Sequence, residues 1–310
     1  MNNIPIRRGA IGAALASLLL AGCGGGDSMG AASGSSTLSL SLTDGPLSTA
    51  TKVWLQFTGV EIKPASGTAQ VITFATPKGY DLLPLRNGNA AMLLNDTTVA
   101  AGDYEWIRLI VDPAANTSYV EDGSGRHYLR IPSGAETGLK LVRGFTMPAG
   151  GRADFTVDFV LDKSIITPPG QAPDYMMKPV LRITDNMQVG VIAGSFASQS
   201  LLPVCNGKAP TVYLYQGANV VPDDIFNPLA GGADTAPNVD PLVTASASLS
   251  NGVYTYRIGY VPVGTYTVAF TCDNDDPAVD ENAPPATPLA FIVYAQPVTA
   301  TVGQTSTVNF

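Results

Sequence analysis

The chain has 310 residues, with 17 Lys and Arg against 25 Asp and Glu, for a formal charge of −8 and a pI near 4.6. That acidity argues against a nucleic-acid binder, which needs a basic surface for phosphates, and one His cannot build a His-rich zinc centre. With 45% hydrophobic residues, 32 Gly and 24 Pro, and a mean hydropathy of +0.17, the composition describes a folded, turn-rich chain, not a disordered one.

Residues 1–22 read as an export signal. Arg7 and Arg8 form a positive flank, and the apolar run Ile11–Ala21 is too short to cross roughly 30 Å of hydrocarbon. The run ends in Leu20-Ala21-Gly22-Cys23, which resembles the lipobox of bacterial lipoproteins. The resemblance implies cleavage before Cys23, a diacylglycerol on its thiol and an acylated amine, hence a covalent lipid anchor in the membrane. Gly24 after the cysteine, instead of Asp, implies release to an outer membrane where the host has one. Losing Arg7 and Arg8 with the signal lowers the formal charge by two, from −8 to −10. Residues 23–37 carry the lipidated cysteine and a Gly/Ser-rich tether.

From residue 38 onward the pattern is strand and turn. Leu38, Leu40 and Leu42 alternate with Ser39, Ser41 and Thr43; Val53, Leu55 and Phe57 form the next face, with a bulge expected at Thr58-Gly59 before Val60 and Ile62 resume. Ile107, Leu109 and Val111 alternate, as do Ala153, Phe155, Val157 and Phe159. Asp44-Gly45-Pro46, Asn87-Gly88, Asp122-Gly123 and Pro168-Pro169-Gly170 punctuate them. A second unit offers strands at 189–195, 211–217, 242–249, 253–259, 264–271, 289–295 and within 297–309, separated by Pro-, Asp- and Asn-rich loops at 218–241 and 273–288. Loops of that length are functional or mobile. The expectation is an all-β chain of two tandem β-sandwiches, 38–187 and 188–310.

The first unit resembles the bacterial lipoprotein family of the domain of unknown function numbered forty-three eighty-two. The resemblance is carried by Leu42-Thr43-Asp44-Gly45-Pro46, Leu82-Leu83-Pro84-Leu85-Arg86-Asn87-Gly88, Ala101-Gly102-Asp103-Tyr104 with Ile107-Arg108-Leu109, Ile131-Pro132-Ser133-Gly134 with Gly138-Leu139-Lys140, Val157-Asp158-Phe159, Lys163-Ser164-Ile165 and Lys178-Pro179-Val180-Leu181-Arg182. It implies no activity. The second unit, through Asn251-Gly252-Val253-Tyr254 and the stretch Val261 to Val268, resembles carboxypeptidase-regulatory or transthyretin-like, immunoglobulin-type sandwiches. That likeness implies a fold and no chemistry.

The candidate site residues are few. Cys205 and Cys272 make an even pair in an exported domain and point to a disulfide, the alternative being two buried thiols. His127 is the one base a Ser-His-Asp triad could use; its neighbour Ser133 sits in Pro-Ser-Gly, not Gly-x-Ser-x-Gly. Asp158, Asp162 and Lys163 could join Lys140, Lys178 and Arg182 in a polar cluster, and a carboxylate pair could act as a glycosidase does. Asp273, Asp275, Asp276, Asp280 and Glu281 form an oxygen-rich loop able to hold Ca²⁺, though without the glycine of an EF-hand. Seven of the twelve Tyr lie in the second unit, as core pairs or as an exposed stacking surface for sugar or protein. No phosphate loop, dinucleotide fingerprint or zinc spacing occurs, and no catalytic residue or cofactor is expected. The leading expectation is a non-catalytic envelope lipoprotein that binds a glycan or an envelope protein. The alternatives are a carboxylate-based carbohydrate hydrolase and a structural subunit of a surface assembly.

Overall fold

Leu38, Leu40 and Leu42 are fully buried, as their alternation requires. The strand that carries them lies centrally, pairing in parallel with 152–159 and antiparallel with 91–100. The computed structural model describes residues 34–44, 50–114, 116–132, 138–167, 174–196, 205–227, 234–235, 237, 239–276, 279–283 and 286–310. The signal segment, Cys23, most of the tether, Ser133 and the Pro168-Pro169-Gly170 turn lie outside them. Among the described residues, no helix is long and apolar enough to cross a membrane.

The first module comprises β1 (Ser35–Asp44), β2 (Lys52–Pro64), β3 (Gln70–Asp81), β4 (Ala91–Ala100), β5 (Gly102–Val111), β6 (Tyr119–Asp122), β7 (Gly125–Arg130), β8 (Leu139–Leu141), β9 (Phe145–Met147), β10 (Arg152–Phe159), the single helical turn α1 (Leu161–Ser164), β11 (Ile165–Ile166), β12 (Tyr175–Met177) and β13 (Leu181–Asp185). One sheet runs β13-β10-β1-β4; the other runs β11-β12-β7-β6-β2-β5-β8, with β3 on β2 and β9 on β5. Their inner faces share one core, which includes Leu40, Phe57, Leu109, Val157 and Phe159. Each such side chain contributes about 1.5–3 kcal/mol by leaving water. The expected bulge is present: register shifts between Phe57 and Gly59 against both β3 and β5.

The second module follows a short 3₁₀ turn capped by the Asp185 carboxylate, which accepts from the Met187 N–H. It contains β14 (Val189–Phe196), β15 (Thr211–Gln216), β16 (Val243–Ser246), β17 (Ser248–Ser250), β18 (Val253–Pro262), β19 (Gly264–Thr271), β20 (Ile292–Val293), β21 (Val298–Ala300) and β22 (Thr305–Thr307). Its sheets run β17-β18-β14-β22 and β16-β15-β19-β20, with β21 on β19. Two segments read as single strands are each divided between the sheets. At 242–249 the chain breaks at buried Ala247, whose N–H still bonds the Pro210 carbonyl in register with β15, whereas Ser248 pairs with Thr255 of the other sheet. At 297–309 it breaks at Gly303, with φ of +65°. Period-two alternation marks each half and cannot report which sheet a half joins. Of the expected strand 289–295, the strand proper covers 292–293, and the Tyr294 N–H adds one bond to the Val268 carbonyl.

Cys205 and Cys272 form a disulfide with Cα atoms 5.1 Å apart. It joins the approach to β15 to the end of β19, and a sequence separation of 67 gives a chain-entropy stabilisation of about 4 kcal/mol. The aromatic core behind it stacks the C-terminal Phe310 on Phe196, centroids 5.1 Å apart, with Phe270 edge-on at 4.8 Å from Phe310. Tyr213, Tyr215, Tyr256 and Tyr266 are buried, whereas Tyr254, Tyr260 and Tyr294 are partly exposed.

Candidate functional site

Where the modules meet, two backbones touch. Asn87 and Gly88 form a left-handed turn, with φ of +60° and +84°. A Cβ on Gly259 of β18 would lie 2.6 Å from the Gly88 Cα. The approach requires glycine at 259, whereas at 88 it is the positive φ that favours glycine, since a Cβ there would lie 3.5 Å from the Gly259 Cα. The next residue, Tyr260, adopts φ of +54°, which is rare for a bulky side chain. Beside this contact opens a cleft of about 340 Å³, within the range of small-ligand sites. Arg143 from the β8–β9 connection, Arg182 of β13 and Arg257 of β18 line it, with Tyr260, Asp44 and Asp158. Arg182 pairs with Asp158. Arg143 gives one N–H to the Ile183 carbonyl at 3.0 Å. Arg143 and Arg257 are exposed, and neither has a carboxylate within ion-pair distance among the described residues.

The polar cluster expected around Asp158 is divided by the fold. Lys163 reaches across to Asp240 of the second module, Lys140 lies over Trp106 at 4.3 Å, and Lys178 is exposed. Asp162 points toward the second module's acids. Burial, and then the nearby Asp275 carboxylate, push its pKa up to about 8. Asp158 and Asp162 line one small pocket of about 20 Å³, too small for a sugar ring, and Asp158 is engaged there by Arg182.

His127 has both a serine and an aspartate at hand. Its Nε2 lies 2.8 Å from Ser124 Oγ and 3.1 Å from Asp122 Oδ1. Both partners meet the same ring nitrogen. A triad needs them on opposite nitrogens, so that a proton taken at one is balanced at the other. This group instead secures the β6–β7 hairpin: the Tyr175 hydroxyl of β12 donates to Asp122 Oδ2 at 2.7 Å.

The oxygen-rich loop is sorted by the fold into two kinds of carboxylate. Asp280 accepts from the Thr235 N–H and hydroxyl, at 2.8 and 3.2 Å, and from the Asn282 N–H at 2.9 Å. Asp273 accepts from the Ala290 N–H at 2.9 Å. These close the loop. The Asp276 N–H donates to Glu281 Oε1 at 3.0 Å. Asp275 and Glu281 turn inward and meet Asp224, which is not among the residues the sequence singles out. Its only signal was the Asp223-Asp224 pair within the long 218–241 loop. Burial raises all three, Asp224 and Asp275 to about 6.

Residues 35–179 match the family described as Domain of unknown function (DUF4382), so the first module is a domain of that family; the second lies beyond the match. No curated protein matches the chain. Among solved structures, the minor pilin GBS52 of Streptococcus agalactiae is 10% identical over 88% of this chain and 94% of its own, with a TM-score of 0.17. A candidate cell-adhesion protein of Bacteroides fragilis is 10% identical over 88% and 91%, at 0.21. The major pilin of Streptococcus pyogenes is 11% identical over 89% and 99%, at 0.16.

Proposed function

We propose that this chain is a lipid-anchored envelope protein that binds an acid-bearing saccharide in the cleft between its two β-modules and does no chemistry on it. The cleft carries this reading. Its arginines come from three separate segments, and two of them lack a carboxylate partner among the described residues. A guanidinium fork matches a carboxylate or sulfate with two parallel hydrogen bonds, and the Tyr260 ring beside it offers a face for a sugar ring. Binding in place of hydrolysis is supported by the single-nitrogen arrangement at His127 and by the ion pair with Arg182 that engages Asp158 in the cleft. Cys23 supplies the anchor, and an outer membrane is the expected location where the host has one.

The test is an array of neutral and uronic-acid oligosaccharides, followed by calorimetry on any that bind. An acidic saccharide is expected to bind, its neutral counterpart not. Arg257→Ala, at an exposed position, is expected to weaken binding about tenfold or more, the scale of a lost charge-assisted pair. Equal affinity for neutral and acidic sugars, or none for either, rejects the reading. Cys23→Ser is expected to move the protein from the detergent phase to the aqueous phase; unchanged partitioning rejects the anchor.

A further inference from the structure

The meeting of Asp224, Asp275 and Glu281 has an unbalanced hydrogen-bond account. One carboxylate oxygen from each lies within 4.8 Å of the other two, and Asp224 and Glu281 are only 4% and 7% exposed. Asp275 Oδ2 accepts from the Tyr213 hydroxyl at 2.6 Å and the Ile225 N–H at 3.0 Å. Asp224 accepts from the Asn282 amide at 3.1 Å and the Glu281 N–H at 3.3 Å. Glu281 Oε1 accepts from the Asp276 N–H. Two oxygens remain, Asp275 Oδ1 and Glu281 Oε2, both sealed from solvent and with no donor. No lysine or arginine makes an ion pair with any of the three carboxylates among the described residues; the nearby Lys163 is engaged with Asp240.

Buried carboxylate oxygens without donors are costly, and facing carboxylates repel one another. A proton shared between two of them relieves one contact. A hard divalent cation relieves all of them, because it takes oxygen ligands at 2.3–2.6 Å and accepts carboxylates singly or in pairs. Asp223 backs the site: its carboxylate accepts from the Asp224 and Val239 N–H groups at 3.1 and 3.0 Å, which ties Val239 to it. We propose that Asp224, Asp275 and Glu281 bind a calcium-type divalent cation that clamps residues 223–227 to residues 273–276 and 279–283. Residues 239–241 lead into Leu242–Ala245, part of the cleft wall, and Asp240 and Asn227 contact the first module at Lys163 and at the Asp162 carbonyl. The cation would set the cleft's shape without touching its ligand.

The test uses the full chain, stripped with a chelator and melted at neutral pH in calcium, magnesium or neither. Millimolar calcium is expected to raise Tm by several degrees, because a ligand that binds only the folded state stabilises it. Calorimetry is expected to show one calcium per chain, with magnesium weaker since it favours a strict octahedron and keeps its waters. Glu281→Gln and Asp275→Asn are expected to abolish the calcium response. Should either variant fail to fold, terbium on the wild-type protein decides: Tyr213, bonded to Asp275, is expected to sensitise its emission, and calcium to quench it by displacement. No calcium heat and no Tm shift, or terbium emission that calcium leaves unchanged, overturns the site and leaves a proton-sharing acid cluster. Failure here leaves the saccharide reading intact, because arginine-dependent binding in the cleft is measured separately.

Discussion

Single residues decide where this molecule tolerates no change, and glycines are the clearest case. Gly79 on β3 lies beneath Trp54 of β2: an added Cβ would sit 2.2 Å from Trp54 Cζ2 and 2.7 Å from Cε2. The indole also stacks on Tyr119, 6.2 Å between centroids, so it has little room to yield. Gly79→Ala is expected to cost about 1–3 kcal/mol, the usual penalty of overpacking, and to shift the Trp54 fluorescence; an unchanged Tm and spectrum would contradict the packing described. Nothing in the sequence around Gly79 foretold this role, because its alternation is that of an ordinary strand. By contrast, the Thr58-Gly59 bulge was legible, since an apolar face that slips by one residue must be reset for the next residues to stay inside.

Elements are held by polar ties that alternation does not encode. The β6–β7 hairpin was readable from Asp122-Gly123, but its attachment to β12 was not, for Tyr175 lies 53 residues away. The Asp122 carboxyl accepts from the Ser124 hydroxyl, the Tyr175 hydroxyl and the Ser124 N–H, in that order of effect, and is held well below the usual carboxylate range. A depressed folded-state pKa stabilises the protein above the unfolded value, roughly 4, and that contribution is lost as the pH falls below it. Tyr175→Phe removes one donor and is expected to raise the pH of acid unfolding. Tryptophan fluorescence reads the effect in the right place, since Trp54 and Trp106 both belong to the first module. An acid midpoint that does not move would show the tie to be inconsequential.

At the scale of the whole molecule, the modules are joined by more than their connecting chain. All described residues fall in one compact unit, and the Gly88–Gly259 contact brings the backbones of the two modules together. Gly259→Ala places a Cβ 2.6 Å from a backbone carbon, and no side chain can swing away to make room. It is expected to lower Tm by several degrees, about 1–3 kcal/mol, and to weaken cleft binding together with stability. Loss of stability with affinity unchanged would mean that the contact does not shape the cleft.

The sequence by itself determined the local rules: all-β strands from period-two alternation, the turns from Gly, Asn, Asp and Pro, and the sandwich architecture from one buried face per strand. It also placed five carboxylates close together between Asp273 and Glu281. Only the tertiary structure decided which half-strand joins which sheet, that Asp275 and Glu281 turn inward while Asp273 and Asp280 close loops, and that Asp224, about 50 residues earlier, meets them. It alone brought Arg143, Arg182 and Arg257 to one cleft. The physical reason is common to all of these: a side chain's period reports its own face, whereas a site depends on which distant faces the packing sets opposite one another.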